Sequence, residues 1–301
     1  MSDARQLGFI GLGHIGGAVC ANLLADGHQL TVYDVDPAHL KAQVEAGANA
    51  ADGPAAVAKA SDITFLSLPT PAAMAQVSAT WAEGAGPGKI LVDLTTNAPA
   101  TVRAVGEHLA AVGAKLVEAP LTGGAPGAKA RMLFFIMGGD KDAVEAVVPL
   151  LDTIGRGSRH LGPLGCGNVG KLVNSLMAFT TQVVALEGLA LAARHDIEPR
   201  TVVELLRATG GSTSYWDRRV EEIATRGKPM EFSMELAAKD AGLMLEVGRE
   251  VGVPLPVASA VHEMLVYAKA QGLGDRDISD FVEAAERATG LRLELRPEDG
   301  A

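Results

Sequence analysis

Three glycines, Gly11, Gly13 and Gly16, spaced G-x-G-x-x-G, constrain this 301-residue chain more than any other feature. The apolar run Leu7-Gly8-Phe9-Ile10 leads into them, and Ala18-Val19-Cys20-Ala21-Asn22-Leu23-Leu24 leaves with helical periodicity. Strand, tight turn and helix start are the setting in which that spacing carries meaning. Gly11 permits the sharp turn, Gly13 lets backbone approach a pyrophosphate, and Gly16 lets the helix pack closely on the strand. Leu12, His14 and Ile15 fill the same turn, whose unpaired N–H groups and helix dipole favour phosphate. Leu30-Thr31-Val32-Tyr33 then reads as a second strand, closed by Asp34. An acid about 20 residues past the glycines accepts hydrogen bonds from the adenosine ribose of a dinucleotide.

The same carboxylate suits a free 2′-hydroxyl and repels a 2′-phosphate, so NAD is favoured over NADP. In Asp34-Val35-Asp36-Pro37 no arginine stands ready for a phosphate. Asp36, next to Pro37, reads as a helix N-cap rather than a cofactor contact.

Near-continuous apolar strands alternate with helices through the first half. Ile63–Leu68, Ile90–Leu94, Lys115–Glu118 and Leu133–Met137 read as further strands. A helix from about Lys141 to Ile154 and a short strand near His160 finish this part. Such strands indicate a parallel sheet covered on both faces, an α/β Rossmann-type domain over residues 1–163. The pattern changes at Gly162-Pro163-Leu164-Gly165. From Asn168 to about His195 there is no proline, and Leu172, Leu176, Phe179, Val183, Leu186 and Leu189 recur at helical spacing. One long helix therefore opens an all-α domain, residues 164–301, whose last stretch from Arg292 reads as a frayed tail.

Composition narrows the function classes. Formal net charge is −10, from 26 Lys and Arg against 36 Asp and Glu. No basic block is present, which argues against nucleic acid as a partner. The two cysteines, Cys20 and Cys166, have no metal-ligand spacing, so neither a disulfide framework nor a metal site is expected. No signal peptide and no apolar run long enough to span a bilayer is read, which makes the cytoplasm the expected location.

Four stretches carry the chemistry. Leu68-Pro69 and Thr96 lie at successive strand ends, where open α/β sheets bind ligands, and are assigned to the nicotinamide ribose. Thr122-Gly123-Gly124 places a hydroxyl and consecutive N–H groups at another strand end, suited to a carboxylate; a plain glycine turn is the alternative. Lys171 falls in the first turn of the long helix, where the dipole disfavours positive charge. A lysine there, facing a cleft, has a lowered pKa and serves as general acid or base. Asn174, one turn on, shares its face. His28, His108, His160, His195 and His262 read as surface or satisfied core residues. Tyr215 and Trp216 line either the pocket or the core, and Met230, Met234 and Met244 fill the core.

In order and spacing, Gly8 through Gly16, Pro120 through Gly124, Gly165 through Asn174, and Lys239-Asp240 resemble the β-hydroxyacid dehydrogenases. That family includes 3-hydroxyisobutyrate dehydrogenase and tartronate semialdehyde reductase. The resemblance covers nearly the whole chain. It implies a Rossmann domain, a long interdomain helix and an all-helical domain used in homodimers or homotetramers. It implies that Lys171 is catalytic with Asn174, that Thr122, Gly123, Gly124 and Asn174 bind substrate together with Asp240, and that Lys239 closes over the cofactor. Thr122 stands where serine is typical, His14 where methionine is frequent, Ser175 in place of a second asparagine, and Arg131 where glycine is usual. Arg131 is either a solvated charge or a partner for a second anionic group on the substrate.

The expected activity is therefore an NAD-dependent interconversion of a small β-hydroxy acid with its semialdehyde or keto acid. An imine reductase of the same fold, and a non-catalytic dinucleotide-binding protein, are the alternatives. Lys171 speaks against the first; the joint presence of lysine, asparagine and glycine pair speaks against the second.

Overall fold

The computed structural model describes residues 5–225, 231–293 and 295. The chain forms two compact units, Met1–Lys171 and Leu172–Ala301.

In the first unit the order is β1 (Leu7–Ile10), α1 (His14–Ala25), β2 (Leu30–Tyr33), α2 (Pro37–Glu45), β3 (Asn49–Ala50), α3 (Pro54–Ala60), β4 (Ile63–Leu66) and α4 (Pro71–Ala82). There follow β5 (Ile90–Asp93), α5 (Pro99–Ala111), β6 (Lys115–Glu118), β7 (Leu121–Thr122), α6 (Gly124–Lys129), β8 (Leu133–Gly139), α7 (Lys141–Ile154) and β9 (Gly155–His160). Then α8 (Cys166–Ala193) continues into the second unit. Pro37, Pro54, Pro71 and Pro99 each open a helix at its first turn, where a missing N–H costs nothing. Asp36 is indeed the N-cap of α2, its Oδ1 accepting from Ala38 N–H at 2.8 Å.

The strands join one sheet in the order β3-β2-β1-β4-β5-β6-β8-β7, with β9 beside β8. From β3 to β6 every pairing is parallel. The chain doubles back through β7 and the six-residue α6, so β8 pairs antiparallel with both β6 and β7. The sheet expected to be parallel throughout is thus mixed at this side. β1, β4 and β5 are buried along their whole length because helices cover both faces. One face packs Phe9, Val19, Leu23, Phe65 and Leu151; the other packs Ile10, Leu66, Met74, Trp81 and Leu109.

The sequence reading placed the domain boundary at residue 163 and the helix start at Asn168. The helix begins at Cys166, and its opening residues belong to the first unit. Gly167 explains this: a Cβ there would lie 2.7 Å from the Ile136 carbonyl and 2.8 Å from Gly138 N, so bare backbone seats the helix on β8.

In the second unit, α8 is followed by α9 (Pro199–Thr209), α10 (Ser214–Thr225), α11 (Met234–Glu250), α12 (Pro256–Ala268) and α13 (Phe281–Thr289). Phe179, Leu186, Leu189, Trp216, Val220, Met234, Leu265 and Phe281 build its core. Trp216, Met234 and Met244 are core residues, and Tyr215 donates to Gln182 Oε1 at 3.2 Å; Met230 lies outside the described residues. Leu293 and Leu295 are buried in the same core, so the stretch after Arg292 is not a frayed tail at these positions. Apolar side chains that reach a core outweigh a polar local composition. By length and composition alone the 28-residue α8, whose most apolar 18-residue window has a mean hydropathy of 1.6, is also long and apolar enough to cross a membrane, contrary to the sequence expectation. Its Phe179, Val183, Leu186 and Leu189 face the core, and Gln182 donates to the Ile278 carbonyl at 2.6 Å.

Candidate functional site

The glycine turn sits where the strand order reverses, between β1 and β4, the place at which open α/β sheets bind ligands. Gly11 has φ +88°, and a Cβ on it would strike the Ser67 carbonyl. A Cβ on Gly16 would strike the Gly11 carbonyl, so α1 crosses β1 at backbone contact. Gly13 is different: among the described residues, its own chain neighbourhood aside, no atom lies within 4 Å of where its Cβ would point. The residue caps α1 with backbone alone, and the first turn holds no acid. An open face over uncapped N–H groups fits a pyrophosphate. Leu12 is buried, Ile15 half-buried and His14 exposed.

Asp34 ties this turn to the end of β2. Its Oδ2 accepts from Leu12 N–H at 2.5 Å and its Oδ1 from Asp36 N–H at 2.7 Å. His39 Nδ1 stands 3.7 Å from Oδ2. Each carboxylate oxygen accepts more than one bond, so capacity for ribose hydroxyls remains. Val35 is exposed beside it.

Along the same edge, Leu68 N–H donates to Thr95 Oγ1 at 3.1 Å, joining the β4 and β5 loops that carry Pro69 and Thr96. The end of β6 leads to Thr122, half-buried on β7, then to Gly123 and Gly124 at φ +116° and +61°. Two successive left-handed residues favour glycine and make the turn that opens α6.

Behind these loops lies a buried polar network that the sequence reading missed. Asp93 and Glu118, the last residues of β5 and β6, are fully buried. Asp93 accepts from Thr95 N–H at 3.0 Å and Asn97 Nδ2 at 2.6 Å. Burial pushes its carboxyl up to about 7, against the pull of those bonds and with added repulsion from Glu118. Glu118 reaches α8: Oε1 accepts from Gly165 and Gly167 N–H, Oε2 from Asn168 N–H and Nδ2, all between 2.5 and 3.0 Å. Burial raises it too, opposed by these four donors. Asn97 N–H donates to Asn168 Oδ1 at 2.6 Å and closes the network. An acid ending each of two neighbouring strands was the available signal.

Lys171 is the sixth residue of α8, hence in its second turn rather than its first, and half-buried. The Glu118 carboxylate sits on that helix's N-terminus, opposite in charge to the positive end of the dipole. Asn174 lies one turn on, exposed. Lys239 and Asp240 belong to α11 in the second unit. Lys239 Nζ is 3.0 Å from the buried Asp240 Oδ1.

Arg131 is not part of this edge. At φ +59° it sends its guanidinium to Asp26 Oδ2 (2.7 Å), the Thr153 carbonyl (2.8 Å) and the Asn22 carbonyl (3.1 Å). These groups close the C-terminal ends of α1 and α7, where cations are favoured. The reading of Arg131 as a partner for a second substrate anion is overturned.

Comparison with known proteins places this arrangement. Residues 6–169 match the NAD-binding domain of 6-phosphogluconate dehydrogenase, and 165–285 the NAD-binding domain of NADP-dependent 3-hydroxyisobutyrate dehydrogenase. The 2-(hydroxymethyl)glutarate dehydrogenase of Eubacterium barkeri is 32% identical over 97% of this chain and 99% of its own. The chain belongs to the β-hydroxyacid dehydrogenase family. A 3-hydroxyisobutyrate dehydrogenase of Pseudomonas aeruginosa is 31% identical, covering 92% and 96% of the two chains. The fold is that of Mycobacterium tuberculosis 3-hydroxyisobutyrate dehydrogenase, solved with L-serine, at a TM-score of 0.88, 22% identity, and 93% and 98% coverage. Imine reductases share it less closely, at TM-scores of 0.65 or lower.

Proposed function

We propose that the protein is an NAD-preferring dehydrogenase that interconverts a small β-hydroxy acid with its semialdehyde or keto acid. One observation carries this reading. The ends of β1, β4, β5 and β6 bring the glycine turn, the Leu68–Thr95 contact and the Thr122–Gly124 turn to one sheet edge, to which Glu118 fastens the start of the lysine-bearing helix. The family membership supports it independently.

In this reading Gly11 through Gly16 hold the pyrophosphate and Asp34 the adenosine ribose, which favours NAD. Leu68, Pro69 and Thr96 orient the nicotinamide end, and Lys239 closes over it. Bound nicotinamide supplies the redox capacity, accepting hydride from the carbinol carbon. The chain orients the reactants and moves a proton. Thr122, Gly123 and Gly124 hold the substrate carboxylate, with Asn174 and Asp240 completing the substrate contacts. Lys171 takes the hydroxyl proton on oxidation and returns it on reduction. The assembly is a homodimer or homotetramer: Val173, Met177, Val184 and Leu191 form an exposed apolar stripe along α8 that a second copy would cover.

Short β-hydroxy acids, mono- and dicarboxylic, screened with NAD and NADP at the nicotinamide absorbance test the reading. Turnover of a hydroxy acid with NAD is expected. Turnover of cyclic imines alone would replace it with reduction at C=N.

A further inference from the structure

We propose that Glu118 is the positioning residue for Lys171, fixing the frame of α8 and setting the charge its opening turn presents to the lysine. The inference rests on the reading of Lys171 as the proton-transfer group, and its test has one arm that does not.

Three observations converge on Glu118. Its two carboxylate oxygens accept four hydrogen bonds, three of them from backbone N–H groups that an α-helix start leaves unpaired. Four donors on one carboxylate favour its charged form against the burial that opposes it. The surrounding backbone is cut to fit: a Cβ on Gly138 would strike Glu118 Oε1 and lie 2.9 Å from Gly167 N. Finally, Asn168 carries the restraint outward, donating to Glu118 and accepting from Asn97 N–H in the loop after β5. The helix start is thus held from two strand ends, and neither its height nor its rotation is left free.

Asn168 and Lys171 are separated by about 4.5 Å of helix rise, so the carboxylate stands within roughly a turn or two of the lysine. A helix N-terminus alone disfavours an ammonium; an anion seated on it offsets that field. Removing the charge while keeping the side chain's size would therefore make Lys171 lose its proton at lower pH. At such separations a shift of about one pH unit is the expected scale.

The test uses the full-length protein and Glu118→Gln. Modification of Lys171 by an acylating reagent, followed by peptide mass spectrometry across pH, reads the lysine's midpoint without catalysis. The kcat–pH profile reads it through turnover. The midpoint in Glu118→Gln is expected about one pH unit lower in both, with kcat down about tenfold to a hundredfold and NAD affinity within about twofold. A merely structural Glu118 would lower the thermal midpoint and leave the lysine's midpoint in place, which would overturn the proposal. Glu118→Asp keeps the charge but shortens the reach: it should restore the midpoint and leave kcat lowered. Wild-type kcat in Glu118→Asp would likewise overturn the proposal, even if Glu118→Gln fails to fold. A Lys171→Ala variant that keeps full kcat removes the catalytic reading, while the labelling arm still decides the role of Glu118.

Discussion

Asp93 gives the fold a pH dependence whose sign is fixed. Its carboxyl is fully buried and raised from an ordinary 3.8 to about 7, burial being the largest cause. The folded chain therefore keeps a proton that the unfolded chain releases as pH rises past about 4. The resulting stabilisation is complete below pH 4 and is lost as pH climbs through about 7. Three units of difference at 1.36 kcal/mol each make about 4 kcal/mol. Asp93→Asn mimics the protonated form. Among the described residues the buried Asn97 Oδ1 has no hydrogen-bond partner, so a flip of the Asn97 amide would let it accept from the new NH₂ group. Urea titrations of both proteins from pH 4.5 to 8 should show the wild type losing up to about 4 kcal/mol relative to Asp93→Asn, most of it before pH 7. Parallel stability curves across that range would refute the assignment.

Replacing Asp34 with serine and Val35 with arginine removes the repelling charge and adds a partner for a 2′-phosphate, so kcat/KM should swing from NAD toward NADP; a wild type that already prefers NADP would contradict the reading of Asp34. Arg131→Ala should cost about 1–2 kcal/mol in denaturant unfolding through the lost closure of α1 and α7. It should leave kcat/KM for mono- and dicarboxylic substrates alike; selective loss for the dicarboxylic class would return Arg131 to the site. Light scattering at micromolar concentration should show a dimer or tetramer, and Met177→Glu should weaken it; a species of 31.0 kDa alone would end that proposal.

Strongly apolar strands and longer amphipathic helices were readable in the sequence. β1, β2 and α7 fall at the residues their apolar patterns indicate, and the glycine spacing led to the right strand junction. Elements without such a pattern were not: β3 and β7 are two residues each, and α3 and α6 are short helices rich in alanine or glycine. The antiparallel return of β8 depends on that unread β7–α6 turn. Glu118 and Arg131 mark a different limit. Glu118 meets Gly165 across 47 positions, and Arg131 meets Asp26 across 105, so tertiary contact alone gives them roles. The same contact moves the start of α8 ahead of Asn168 and puts Lys171 two residues deeper than its local pattern suggests.

The central claim, proton transfer by Lys171 in a nicotinamide-dependent oxidation of a hydroxy acid, is tested most directly by Lys171→Ala assayed with the best substrate of the hydroxy-acid panel. The account predicts a kcat lower by about 10² to 10⁴ with NAD affinity little changed. Near wild-type kcat in that variant would contradict it.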